Sequence, residues 1–180
     1  SYKKLNFSTK RSMSIAQQLY EGIDVKGLGT VGLITYMRTD SVRISEEAQK
    51  SAKEFILNNF GEKYVPKTTR SYKGKKNIQD AHEAIRPTYI ELDPEKIKNS
   101  LKPEQYKIYS LIWKRFIASQ MADCIMNTIS INVENGPYML KATGSNIKFD
   151  GFMKVYKYEV DEEDENIKFP ELKEGEILIK

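Results

Sequence analysis

At Asp123 the hydrophobic period of the chain changes, and that change divides what the sequence can fold into. Before it, Ile108, Ile112 and Phe116, with Tyr109, Trp113 and Ile117 beside them, recur at three- and four-residue spacing. That spacing marks a well-buried helix over about residues 103–121. After it the period is two: Ile129, Ile131 and Val133 alternate with polar residues, Asn135-Gly136 is a strong hairpin signal, and an extended run continues over 138–142. Further short strands are expected over 147–152, 155–160 and 176–179, making a β-meander interrupted by the acidic turn Asp161-Glu162-Glu163-Asp164-Glu165. The fold class is therefore α+β, a mainly helical domain over 1–122 followed by a β-rich part over 123–180.

Within the first part, Ser8 or Thr9 caps a helix whose Met13, Ala16, Leu19 and Tyr20 share a face, and Gly22 ends it. A turn at Lys26-Gly27-Leu28-Gly29 leads to a strand or extended segment over 30–36. Ser45 caps the next helix, with Glu46 and Glu47 at its positive end and Ala48, Ala52, Phe55, Ile56 and Phe60 as its apolar face before Gly61. Residues 62–79 read as a flexible basic loop, with six basic and no acidic side chains from Lys63 to Lys76. A short helix over 80–86 is expected to stop at Pro87, and Asp93-Pro94 reads as another helix start.

Composition narrows the chemistry. The 180 residues hold one Cys (Cys124) and one His (His82), which excludes an internal disulfide and a Cys/His zinc site. No apolar run approaches the roughly 20 residues that span a bilayer and no leader pattern opens the chain, so a reducing cytoplasm is the default expectation. The chain starts without Met and stops in a strand-like Ile177-Leu178-Ile179-Lys180, which reads as a piece excised from something longer. The net charge of +4 hides an asymmetry: residues 1–90 carry 16 Lys/Arg against 9 Asp/Glu (+7), and residues 91–180 carry 13 against 16 (−3). The basic half is the one with room for a polyanion.

Two segments carry candidate chemistry. Gly32-Leu33-Ile34-Thr35-Tyr36-Met37-Arg38-Thr39-Asp40-Ser41 sets a Tyr two residues from an Arg, on one face if the segment is a strand. A Tyr hydroxyl, with an ordinary pKa of about 10, can attack phosphorus if a proton acceptor and a fixed cation assist, and the planar fork of Arg38 suits two phosphate oxygens. Spacing alone favours the plainer alternative, a Tyr packed in a half-buried strand beside a surface Arg. The second segment, Gln79-Asp80-Ala81-His82-Glu83-Ala84-Ile85-Arg86-Pro87, holds the lone His, which can donate to a phosphate when protonated but is more often structural or exposed than catalytic.

Both segments resemble the signatures of type IA DNA topoisomerases. Residues 32–41 are similar to the family's active-site signature, and Ala81-His82-Glu83-Ala84-Ile85-Arg86-Pro87 to its second one. Residues 15–22, 111–121 and 149–152 resemble the family in the same order, and Met37 after the Tyr favours the bacterial branch over the topoisomerase III branch.

The resemblance implies that Tyr36 attacks a single-stranded DNA phosphodiester, leaving a 5′-phosphotyrosyl link and a free 3′-hydroxyl that reseals without ATP. It implies that Arg38 binds the scissile phosphate, that His82 contacts DNA phosphate, and that Asp40 orients His82 or raises its pKa. It also implies a helical tyrosine domain followed by part of a β-rich arch, and a Mg²⁺ ion held by a Toprim domain that precedes this segment in relatives. No metal site is expected within the chain: Asp161, Glu163 and Glu165 have a ligand-like spacing but read as a solvated turn. Lys73, Lys75 and Lys76, with Lys63, Lys67, Arg70, Tyr64 and Tyr72, are candidates to track a DNA backbone, or form an ordinary solvated loop. The competing function is a non-catalytic single-stranded DNA-binding module, and a third is a nuclease or phosphatase using His82.

Overall fold

The computed structural model describes residues 2–72, 82–157 and 173–177. The chain divides into two compact units, Ser1–Ala122 and Asp123–Lys180.

In the first unit a single helical turn, α1 (Tyr2–Leu5), precedes α2 (Thr9–Glu21). Ser8 is the cap: its hydroxyl accepts the Arg11 N–H at 3.3 Å. Gly22, at φ 130°, takes the chain out of the helix. A tight hairpin follows, β1 (Ile23–Val25) paired antiparallel with β2 (Gly29–Val31). Next, α3 (Glu46–Phe60) starts at Ser45, which caps Ala48 N–H, and ends at Gly61. The long helix α4 (Pro103–Gln120) packs against both α2 and α3. Its double stripe of apolar residues is the reason: Ile108 and Phe116 are buried along with Tyr109, Trp113 and Ile117. Gln105 ties two helices together, accepting Lys102 N–H at 2.9 Å and donating to the Gln18 side chain at 2.8 Å.

Three expectations for this unit are corrected. Of the strand or extended segment expected over 30–36, only the part up to Val31 is strand, because the next N–H groups turn elsewhere: Leu33 donates to the Leu19 carbonyl in α2 and Thr35 to Arg86. Residues 82–86 are not helical; the Ala84 N–H reaches across to Arg43 and the Arg86 N–H to Thr35. Asp93 does not start a helix: its carboxylate accepts Glu95 N–H at 2.8 Å in a turn, and a separate short 3₁₀ segment, Lys98–Ser100, follows.

The second unit, among its described residues, is one long hairpin: β3 (Ile125–Asn135) and β4 (Tyr138–Phe149), antiparallel, with Asn135 opposite Tyr138. Gly136, at φ 60°, takes the first position of the two-residue turn, a conformation that L side chains resist. Among the described residues no third strand joins this hairpin: Gly151, at φ 48°, bends the chain into a 3₁₀ turn, Gly151–Lys154. The Met153 and Val155 N–H groups then bond locally to Asp150 and Phe152 instead of to a neighbouring strand. The acidic turn, residues 158–160 of one further expected strand and residues 178–179 of the other lie outside the described residues.

Candidate active site

Tyr36 sits on an irregular loop that runs from the isolated bridge between Ile34 and Pro87 to the start of α3. Both ends of the loop are stitched to the second segment. Thr35 N–H donates to the Arg86 carbonyl at 3.0 Å, and its hydroxyl donates to the Ala84 carbonyl at 2.8 Å and accepts Arg86 N–H at 2.9 Å. At the far end, Ala84 N–H donates to the Arg43 carbonyl at 2.8 Å. Between these anchors the loop folds on its own hydroxyls: Ser41 N–H bonds to Thr39 Oγ1 and Arg43 N–H to Ser41 Oγ.

Burial alternates at the loop's start. Met37 is 4% exposed, while Tyr36 on one side of it is 39% exposed and Arg38 on the other is exposed as well. Met37 reaches down into an apolar cleft of about 510 Å³ that also has Val42, Ile85, Met13 and Ile112 on its walls. The pair expected to share a strand face thus shares the solvent side of a pinned loop, with Met37 as the pin.

His82 is exposed, and its ring stacks against that of Tyr36, with centroids 6.2 Å apart and planes inclined by 30°. Tyr20, from the last turn of α2, meets the same Tyr36 ring edge-on at 5.5 Å. The structure brings Tyr36 and His82 together; it does not bring Asp40 to His82. Asp40 is exposed, and among the described residues no hydrogen bond or ion pair joins the two. Lys73, Lys75 and Lys76 lie outside the described residues. The described part of the basic loop is pinned rather than free: Tyr64 is buried, Arg70 Nη2 donates to the Met121 carbonyl at 3.4 Å, and the Tyr72 hydroxyl donates to the Ser119 carbonyl at 2.5 Å. Those three side chains are occupied by the fold.

Sequence reasoning passed over Glu83. Its carboxylate accepts Ser45 N–H at 3.0 Å, just ahead of α3, and takes a two-pronged ion pair from Arg86 Nε and Nη2 at 3.1 and 2.7 Å. Burial alone pushes this carboxyl up, but the hydrogen bonds from Ser45 and Arg86, with the guanidinium charge, together hold it below its ordinary value. Glu83 is thus kept charged, and it fixes the second segment to the helix that follows the first. The signal was present as an acid and an Arg three residues apart within the signature.

This arrangement presents a phenol and a guanidinium on one surface loop, with an imidazole against the phenol. Among the described residues no three His, Cys, Asp or Glu side chains converge. Among the same residues, no helix is long and apolar enough to cross a membrane.

Residues 1–180 match the DNA topoisomerase family, and the chain belongs to it. Within that family it is a bacterial type IA segment. It is 52% identical to DNA topoisomerase 1 of Rickettsia felis over 98% of the chain and 23% of that protein, and 51% identical to DNA topoisomerase 1 of Rickettsia conorii over the same shares. The structure of full-length topoisomerase I from Thermotoga maritima superposes with a TM-score of 0.81 at 41% identity, covering 97% of this chain and 27% of that one. The chain therefore spans about a quarter of the length of the relatives it matches.

Proposed function

We propose that this chain is the tyrosine-bearing part of a type IA topoisomerase that cuts one DNA strand through Tyr36, passes a strand through the break and reseals it, relaxing negative supercoils. The observation that supports this reading best is the placement of Tyr36, half-exposed on a loop stitched at both ends to the segment whose His82 ring lies against it.

In the forward step Tyr36 loses its phenol proton to solvent and its oxygen attacks the phosphorus of a phosphodiester. The Oη–P bond forms as the P–O3′ bond breaks, and the departing O3′ takes up a proton. The product is a 5′-phosphotyrosyl link and a 3′-hydroxyl. Because the new ester keeps the energy of the old one, attack by that hydroxyl restores the strand without ATP. Arg38 is assigned two non-bridging phosphate oxygens, and protonated His82 donates to a phosphate of the same strand. Asp40 receives no step, since among the described residues no hydrogen bond or ion pair joins it to His82.

The substrate is a single-stranded segment of negatively supercoiled DNA, and the place of action is the bacterial cytoplasm at the nucleoid. The family resemblance implies Mg²⁺. No step is routed through the metal, whose ligands are assigned to the family's Toprim domain. By itself the 180-residue chain should bind single strands weakly and turn over little.

The test uses a topoisomerase of full family length carrying this chain and a 3′-end-labelled single-stranded oligonucleotide. A denaturant-resistant labelled adduct should form and should vanish in Tyr36→Phe. Binding without adduct would instead identify a non-catalytic DNA-binding module, and hydrolysed ends would identify a nuclease.

A further inference from the structure

The geometry points to Tyr20 as a positioning residue for Tyr36, an inference that rests on reading Tyr36 as the nucleophile. The two rings meet edge-on, with centroids 5.5 Å apart and planes at 68°, the geometry aromatic quadrupoles favour. A tyrosine side chain has only two torsions to fix, and a ring against its flank restrains both.

What makes Tyr20 a fixed reference is its carrier. Leu19, its neighbour in α2, is fully buried, and the Leu19 carbonyl accepts the Leu33 N–H at 2.8 Å. One residue earlier, Gly32 passes so close that a Cβ there would stand 2.8 Å from the carbonyl oxygen of Tyr20 itself. The end of α2 and the chain entering the Tyr36 loop are thus in register through backbone atoms. The ring contact carries that register out to the reacting phenol.

Core packing does not account for Tyr20. The buried residues of α2 are Ile15, Ala16 and Leu19, and Tyr20 is 41% exposed. Its ring lies at the surface against Tyr36, on the same side of the loop as the group that must aim at phosphorus. Small misplacements of a reacting atom are costly in rate, while substrate affinity set by other contacts is unaffected.

The experiment measures single-turnover adduct formation and oligonucleotide affinity separately, in a topoisomerase of full family length carrying this chain. Tyr20→Ala should slow adduct formation about ten- to a hundredfold, with affinity within about twofold of the unmodified protein. Tyr20→Phe, which keeps the ring, should recover the rate to within about threefold. With ¹³C-labelled tyrosine rings, the Tyr36 signals should move in Tyr20→Ala, where the neighbouring ring current is lost, and stay in place in Tyr20→Phe. Normal cleavage by Tyr20→Ala, or a Tyr20→Phe as slow as Tyr20→Ala, would overturn the inference while leaving Tyr36 as nucleophile. An adduct that survives Tyr36→Phe would instead remove the reading on which it rests. If Trp113 emission reports unfolding in Tyr20→Ala, Tyr20→Leu decides by the same criteria.

Discussion

Thr35 and Arg86 exchange two hydrogen bonds, Thr35 N–H to the Arg86 carbonyl at 3.0 Å and Arg86 N–H to Thr35 Oγ1 at 2.9 Å. The pair joins two signature segments distant in sequence, and it does so one residue before Tyr36. A threonine serves where a valine of the same shape would not, because its hydroxyl also donates to the Ala84 carbonyl at 2.8 Å.

Thr35→Val should therefore strand the Arg86 N–H and weaken the hold on Ala84 without opening a cavity. The expected cost is about 1–3 kcal/mol, the penalty for leaving sheltered polar groups unpaired. Urea unfolding of the chain checks it; a midpoint equal to the unmodified chain's would show that water replaces the hydroxyl at no cost.

Glu83 gives the fold an acid-sensitive point. Its carboxyl is held below its ordinary value in the folded chain. It therefore stabilises above the unfolded pKa of about 4.3, and that contribution is lost as pH falls through the lower folded value. Glu83→Gln should lower stability near neutral pH, and the gap between variant and parent should narrow as pH drops from about 5 to 3. A gap constant across that range would mean the ion pair with Arg86 adds nothing beyond neutral hydrogen bonding.

The helices were legible because their determinants are local. Ser8 and Gly22 bracket α2, Ser45 and Gly61 bracket α3, and the repeat from Ile108 to Ile117 needs no partner to be recognised. Residues 82–86 looked helical because nothing nearby announces that their N–H groups are claimed by Arg43 and Thr35. The same limit applied at the site. Tyr36 and His82 could be named as candidates from their segments, whereas Tyr20 read only as one more member of an apolar helix face. Its contact with Tyr36 exists because Gly32 lets two backbones pass closely, a relation no periodicity expresses.

That close passage is itself testable. In Gly32→Ala the new methyl would meet a backbone oxygen at 2.8 Å, so the α2 end or the loop must shift. The expected loss is about 1–3 kcal/mol, together with slower adduct formation because Tyr36 moves. Gly27→Ala is the contrast: no atom lies within 4 Å of its Cβ, but φ is +86°, so only backbone strain of about 1–2 kcal/mol is added. Both should melt early; only Gly32→Ala should cleave slowly. Equal cleavage by the two would show that the register of α2 does not reach the phenol.

Tyr109 offers an alkaline counterpart to Glu83. Its ring is fully buried in α4 and its hydroxyl donates to the Leu92 carbonyl at 2.7 Å. Burial first, and then the charges of Asp93 and Glu91, push the phenol far above its usual range. The neutral form is thus favoured in the fold, and its contribution is intact below the unfolded pKa of about 10 and fades as pH rises beyond it. One pH unit above that point, about 1.4 kcal/mol should have been lost through this group alone. Trp113, the single Trp of the chain, reports on the same packing: it is 4% exposed, its indole donates to the Ile90 carbonyl at 3.0 Å, and Phe55 meets it edge-on at 5.5 Å. Urea unfolding followed by Trp113 emission should show the parent chain losing stability between pH 9 and 11 more steeply than Tyr109→Phe, which has no proton to lose there. Parallel slopes would place the alkaline sensitivity in other tyrosines or in lysines instead.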